Sequence, residues 1–254
     1  HLDELLARPG PGLADALSRL DGDLMILGIA GKMGVSLGEL AANALREAGV
    51  RKTLYGVSRF SDAAVPDRLR RAGVTPISCD LLDRAAVSSL PRAANVVFLA
   101  GRKFGTEGSQ ELTWAMNVLA PANVAEHFRG SRIVALSTGC VYPLVAPAQG
   151  GCSEGVAPAP VGEYAQSCLG RERVFEYHSR RDGTPVVLIR LNYANDLRYG
   201  VLRDIAEPVW NGRPVNVTVP AFNCIWQGDA NRTILQAFAL CRTPPEVLNV
   251  TGPE

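Results

Sequence analysis

A doubly wound parallel α/β sheet is the fold class this sequence predicts, and three observations predict it. Apolar runs of strand length recur at 24–28 (LMILG), 53–57 (TLYGV), 75–79, 95–99 (NVVFL), 132–137 (RIVALS), 186–190 (VVLIR) and 247–250. Helical stretches separate them, the clearest carrying Leu37, Leu40, Ala41, Ala44, Leu45 and Ala48 on one face at i, i+3, i+4 spacing. Glycines cluster where the first run meets that helix. Strands alternating with helices in this rhythm form parallel βαβ units with right-handed crossovers, which bring the strand ends and their loops to one edge. The 254 residues, 47 % hydrophobic and 20 % charged, suffice for one such domain with a small additional lobe.

The elements follow in order. Residues 1–22 hold two short amphipathic pieces around the breaker Pro9-Gly10-Pro11-Gly12 and predict an N-terminal helical extension. The first strand runs into Gly28-Ile29-Ala30-Gly31-Lys32-Met33-Gly34, a G-x-x-G-x-x-G turn. Glycines there let the chain turn tightly, approach a pyrophosphate and pack helix on strand, while the helix N-terminus presents N–H groups to the phosphates. At the first strand–helix junction of an alternating pattern, this turn predicts a Rossmann-type dinucleotide site with Gly28, Gly31, Lys32, Met33 and Gly34 against the cofactor.

The second strand ends at Ser58-Arg59, where a carboxylate would take the ribose 2′-OH of NAD. An arginine beside a small hydroxyl suits a 2′-phosphate, so NADP is expected, with NAD as the alternative. Asp80 and Leu81 follow the third strand. The Asp80 carboxylate has two open roles, accepting from the adenine amino group or capping a helix over 84–90. Ala100 and Gly101 follow the fourth strand at the same edge. Residues 23–193 therefore read as the dinucleotide-binding domain, 194–229 as a small substrate lobe inserted in it, and 230–254 as the return of its last helix and strand. Residues 143–162, rich in Pro, Gly and Ala, read as a loop.

The order of motifs resembles the extended short-chain dehydrogenases/reductases, the family of NAD-dependent nucleotide-sugar epimerases and dehydratases. The resemblance spans residues 22–254 and rests on seven features. These are the glycine turn, Asp80, Leu99-Ala100-Gly101, Asn117-Val118, Leu136-Ser137-Thr138-Gly139-Cys140-Val141-Tyr142, Tyr164 with Glu172, and Arg190-Leu191-Asn192. It implies Tyr164 as the acid/base, Thr138 at the catalytic Ser/Thr position and Asn117 as the asparagine that supports a proton-relay water. It also implies a homodimer.

An unperturbed tyrosine, with a pKa of about 10, is a poor base at neutral pH. The family places a lysine four residues on, whose ammonium stabilises the phenolate and binds the nicotinamide ribose. This chain departs from the pattern: Tyr164-Ala165-Gln166-Ser167-Cys168 has a cysteine there, read as packed and inert. Arg171, one turn further, can supply charge but cannot relay a proton. Only three of the 26 basic residues are lysines, Lys32, Lys52 and Lys103. Lys103, in the loop after the fourth strand, is the replacement expected from the sequence.

In the lobe, Asn192, Arg198 and Tyr199 are the expected substrate contacts, within a set that also holds Tyr193, Asn195, Trp226, Gln227, Asp229 and Asn231. The reading is an NAD(P)-dependent oxidoreductase or epimerase acting on a sugar-like alcohol or carbonyl. Its rival is a protein that binds the dinucleotide without turnover, as a sensor or regulator. A net charge of +1 offers no basic face for nucleic acid, and no apolar run reaches membrane-spanning length. Six cysteines without C-x-x-C spacing indicate neither metal site nor disulfide framework. A cytoplasmic setting is expected, with a small molecule as partner. His127 and His178 read as helix-borne structural histidines.

Overall fold

Burial on both faces turns the apolar runs into strands. In the computed structural model, which describes residues 1–103, 105, 107–219 and 221–252, strand β1 (Leu24–Leu27) is buried at every position. Leu24 and Ile26 join one half of the core, Met25 and Leu27 the other. Such two-sided burial is the mark of a parallel sheet covered by helices.

Helices α1 (Leu2–Leu6) and α2 (Leu13–Ser18) precede β1. After β1 come α3 (Gly34–Glu47), β2 (Leu54–Ser58), α4 (Ala64–Ala72), β3 (Thr75–Ser78), α5 (Arg84–Ser88) and β4 (Asn95–Phe98). Helix α6 (Gln110–Trp114), a π-helical turn (Ala115–Leu119) and α7 (Ala120–His127) lead to β5 (Arg132–Thr138). Then follow α8 (Gly162–Asp182), β6 (Val186–Leu191), the short β7 (Ala194–Asn195), α9 (Val201–Trp210), the short β8 (Ile225–Trp226), α10 (Gln227–Gln236) and β9 (Glu246–Val250).

The main sheet is parallel in the order β3-β2-β1-β4-β5-β6-β9. All seven apolar runs of the sequence form its strands, so the doubly wound Rossmann-like class is the observed one. Strand order reverses between β1 and β4, and the crevice beyond their carboxyl ends is where open α/β sheets bind ligands. Leu13 and Leu17 of α2 are buried in the core half that also holds α3 and α10, and Asn43 Nδ2 donates to the Ala7 carbonyl at 2.8 Å.

Residues 194–226 hold β7, α9 and β8, and α10 already begins at Gln227. Gln227 Nε2 and Asn231 Nδ2 both donate to Ser36 Oγ, at 2.9 and 3.0 Å, and so fasten α10 to α3. These two amides, counted with the lobe in the sequence reading, are core fasteners. His127 Nε2 donates to the Leu90 carbonyl at 3.0 Å, and His178 faces Asp182. Both are structural.

Helix α8 is tied to the sheet by a buried ion pair. Glu172, fully buried, holds Arg190 through Oε2 at 2.7 Å and Oε1 at 3.0 Å. Its Oε1 also accepts from Ser137 Oγ at 2.6 Å. Removing one partner leaves an uncompensated interior charge, which costs about 3–5 kcal/mol, whereas replacing both by apolar groups of similar volume is near neutral. Glu172→Leu is expected to lower unfolding stability in urea by that amount, and adding Arg190→Met to recover most of it. A single variant as stable as wild type would show that the pair does not hold α8.

Candidate active site

The glycine turn divides its work among three residues. Gly28 has φ +87°, and a Cβ there would lie 2.6 Å from the Ala100 nitrogen. A Cβ on Gly34 would overlap the Ile29 backbone. Both positions are closed by the protein itself. Gly31 differs: its nearest neighbour to a built Cβ is the Gly28 carbonyl at 3.2 Å, and the residue is exposed. Helix α3 begins just beyond it, at Gly34, without a side-chain cap, so its first N–H groups and dipole are left to the turn.

A cleft of about 320 Å³ runs from this turn along Gly28, Gly31, Ser58, Arg59, Asp80, Leu81, Ala100 and Gly101. The structure thus brings these sequence-predicted cofactor residues together. Asp83, not Asp80, caps α5, accepting from Ala85 and Ala86 N–H at 2.9 and 3.1 Å. Of the two roles open to Asp80, the cap therefore falls away. Its Oδ1 accepts from Leu82 N–H at 3.0 Å, and its Oδ2 lies 3.9 Å from Arg59. Arg59 is 68 % exposed at the end of β2. A turn that only a glycine leaves open, an uncapped helix and this cleft fit a dinucleotide.

Lys32 and Met33 turn the other way. They line a second cavity, about 450 Å³, with Lys103, Ser137, Thr138, Tyr164, Tyr193, Asn195 and Tyr199. Lys32 Nζ lies 4.7 Å above the Tyr199 ring and Lys103 Nζ 5.0 Å above that of Tyr193. Lys103 and Tyr164 also border an open cleft of about 580 Å³ beside Cys140. Phe104 and Thr106 of the Lys103 loop lie outside the described residues.

Thr138 ends β5 and Tyr164 opens α8, so sheet and helix bring them to one wall. Burial holds the Tyr164 phenol above the ordinary tyrosine range, and Cys168 adds to that shift. Arg171 and Thr138 oppose it by favouring the ionised form, without overcoming burial. Cys168 is itself buried, its thiol pushed up first by desolvation. It packs, as the sequence reading had it.

Asn117 sits in the π-helical turn, fully buried. Its Oδ1 accepts from Arg102 N–H at 2.9 Å and Arg171 at 2.7 Å. Its Nδ2 donates to the Arg102 carbonyl at 3.0 Å and Ser167 Oγ at 2.9 Å. The amide has no capacity left for a relay water; it clamps the Gly101-Arg102 loop to α8. Asn192 lies over Gly139, where an added Cβ would strike its amide oxygen. Arg198 is spent elsewhere, donating to Asp3 at 2.9 Å and pairing with Asp196, and it borders neither cavity near Tyr164. Tyr193 and Asn195, from the wider lobe set read in the sequence, line the second cavity with Tyr199; Ser137 and Asp204 line it too and were not expected, Asp204 because only the fold of α9 brings it there.

A cleft at the sheet's switch point, beside a wall carrying Thr138 and Tyr164, accompanies a Rossmann-like α/β fold. The model of the NAD dependent epimerase/dehydratase family matches residues 24–194, and the chain belongs to that family. Among solved structures, the chain is similar to the dTDP-glucose 4,6-dehydratase DesIV of Streptomyces venezuelae, at 16 % identity and a TM-score of 0.78. The match covers 91 % of this chain and 76 % of that one. UDP-glucuronic acid 4-epimerase of Bacillus cereus, crystallised with NAD, matches at 17 % identity and TM-score 0.74, covering 91 % and 79 %. The Bordetella bronchiseptica enzyme WbmG, solved with NAD and UDP, matches at 20 % and 0.71, covering 90 % and 72 %. At these identities the likeness is one of fold. No curated protein matches the chain.

Because Gly31 is the least crowded of the three glycines, with the Gly28 carbonyl at 3.2 Å as its one tight neighbour, Gly31→Val is expected to stay folded with a melting temperature lowered by no more than several degrees and to abolish dinucleotide binding in calorimetry. Undiminished binding in that variant would place the site elsewhere.

Proposed function

We propose that the protein is an NAD(P)-dependent oxidoreductase or epimerase acting on a sugar-like alcohol or carbonyl, with Tyr164 as its acid/base. The observation that carries this reading is the placement of Tyr164 and Thr138 on one cavity wall at the sheet edge that holds the glycine turn. When bound, the nicotinamide accepts or returns a hydride at the substrate carbon. Gly31 and the α3 N-terminus would receive the pyrophosphate, and Asp80 the adenine side. Thr138 would hydrogen-bond the substrate oxygen, and Tyr164 would exchange the proton with it. A phenol kept neutral by burial is ready to donate to a carbonyl oxygen and needs help to accept from an alcohol.

Sugar nucleotides are the proposed substrate class, supported by the UDP-glucuronic acid and UDP-glucose named for similar structures. Tyr199 and the two lysines in the 450 Å³ cavity suit a hydroxylated, anionic ligand. NADP is proposed as the preferred cofactor, since Ser58-Arg59 offers a guanidinium and no carboxylate at the end of β2. One observation favours the second reading, a binding protein without turnover: Cys168 stands where the family's lysine would be.

The test is turnover of a panel of sugars, sugar phosphates and nucleotide sugars, followed by nicotinamide absorbance and product chromatography. Wild type is expected to convert at least one, and Tyr164→Phe to lose on the order of 10²–10⁴-fold while binding dinucleotide normally. Dinucleotide binding with no conversion would favour the sensor. In the same preparation Arg59→Ala is expected to weaken NADP by about 1.5–3 kcal/mol and leave NAD unchanged. Tighter binding of NAD than NADP by wild type would remove the cofactor preference.

A further inference from the structure

We infer that Arg171 takes over the charge of the missing lysine, reaching the acid/base site from one helical turn further along α8. The inference rests on the proposed role of Tyr164 and deepens it.

The guanidinium is buried at 6 % exposure, yet its partners are neutral. One terminal nitrogen donates to the Leu136 carbonyl at 2.7 Å, the other to Asn117 Oδ1 at 2.7 Å. Its Nε is buried with no hydrogen-bond partner. The adjacent carboxylate, Glu172, is committed to Arg190. Among the described residues, no carboxylate lies within ion-pair distance of Arg171. A buried cation without a counter-ion costs several kcal/mol and is kept where something offsets it. The neighbouring group that can become an anion in the proposed reaction is the Tyr164 phenol.

Placement agrees with that role. Leu136 lies two residues before Thr138 on β5, and Asn117 clamps the Gly101-Arg102 loop at the cofactor cleft. The guanidinium packs directly on Gly101, where a Cβ would run into it. The Arg171 charge also favours ionisation of both Tyr164 and Cys168. Lysine at position 168 would offer charge and a transferable proton; Arg171 offers charge and fixed geometry only. Arg171 is thus a positioning residue. Lys103, the replacement expected from the sequence, lines both cavities with Tyr164 and lies over the Tyr193 ring, so its ammonium is on the solvent side of the site while Arg171 is within the protein.

The test reads Tyr164 directly. Fluorotyrosine placed at 164 in the full chain lowers the intrinsic phenol pKa enough for its ionisation to be followed by fluorine NMR, with and without oxidised NADP. Arg171→Gln is expected to raise the midpoint by about one unit or more, the scale of a lost neighbouring charge. Arg171→Lys should lie between the two, and Cys168→Lys added to Arg171→Gln should bring the midpoint back down. Gly101→Ala, which displaces the guanidinium without removing it, should raise the midpoint too, and it carries the test if the Gln variant does not fold. An unchanged midpoint in Arg171→Gln, or in Gly101→Ala, overturns the inference. Failure of the broader functional reading looks different: the midpoints shift as expected while Tyr164→Phe leaves turnover intact.

Discussion

Two adjacent buried charges on α8 hold the frame in which every other part of the site is placed. Glu172 reaches down to Ser137 and Arg190, and so locks α8 to β5 and β6. Arg171 reaches across to Leu136 and Asn117, and so locks the same helix to β5 and the π-helical turn. Tyr164 lies two turns earlier on this helix, and Thr138 ends the strand that both charges grip. A π-helical turn inside a longer helix is uncommon and often marks a functional site. Here it delivers the Asn117 amide to four partners, with the helix axis adjusted locally to let it do so.

From that frame the two halves of the site follow from topology. The switch point between β1 and β4 opens the cleft proposed for the dinucleotide, because neighbouring crossovers leave it in opposite directions. The β7–α9 excursion folds over β5 and closes a cavity beside it, contributing Tyr193, Asn195 and Tyr199. Lys32 and Met33 mark where the halves meet: they sit on the dinucleotide turn yet face the second cavity. A substrate bound there would touch the loop proposed to hold the cofactor.

Much of this was legible before any coordinates. The seven strands were, because each is buried on both faces and so is apolar without interruption. The glycine turn was legible because its spacing follows from backbone contacts with Ala100 and Ile29 that tolerate no side chain. Legibility ended where function depends on long-range hydrogen bonding. Arg198 carries the right chemistry for a ligand, but its partners Asp3 and Asp196 come together only in the fold. Gln227 and Asn231 looked like ligand amides and are fasteners for Ser36, 191 and 195 residues away in sequence. Arg171 was visible as a charge at i+7 from Tyr164, but nothing in one dimension indicates that it lacks a counter-ion. Among the described residues no carboxylate pairs with it, and the role proposed for it follows from that.

A dinucleotide lying along the glycine turn with its nicotinamide end toward Tyr164 would join the two halves of the site. A crystal structure of the protein grown with saturating NADP tests this most directly. The pyrophosphate is predicted against Gly31 at the start of α3, the adenosine beside Arg59 and Asp80, and the nicotinamide facing Thr138 and Tyr164. A dinucleotide bound elsewhere, or bound with its nicotinamide turned away from Tyr164, would contradict it.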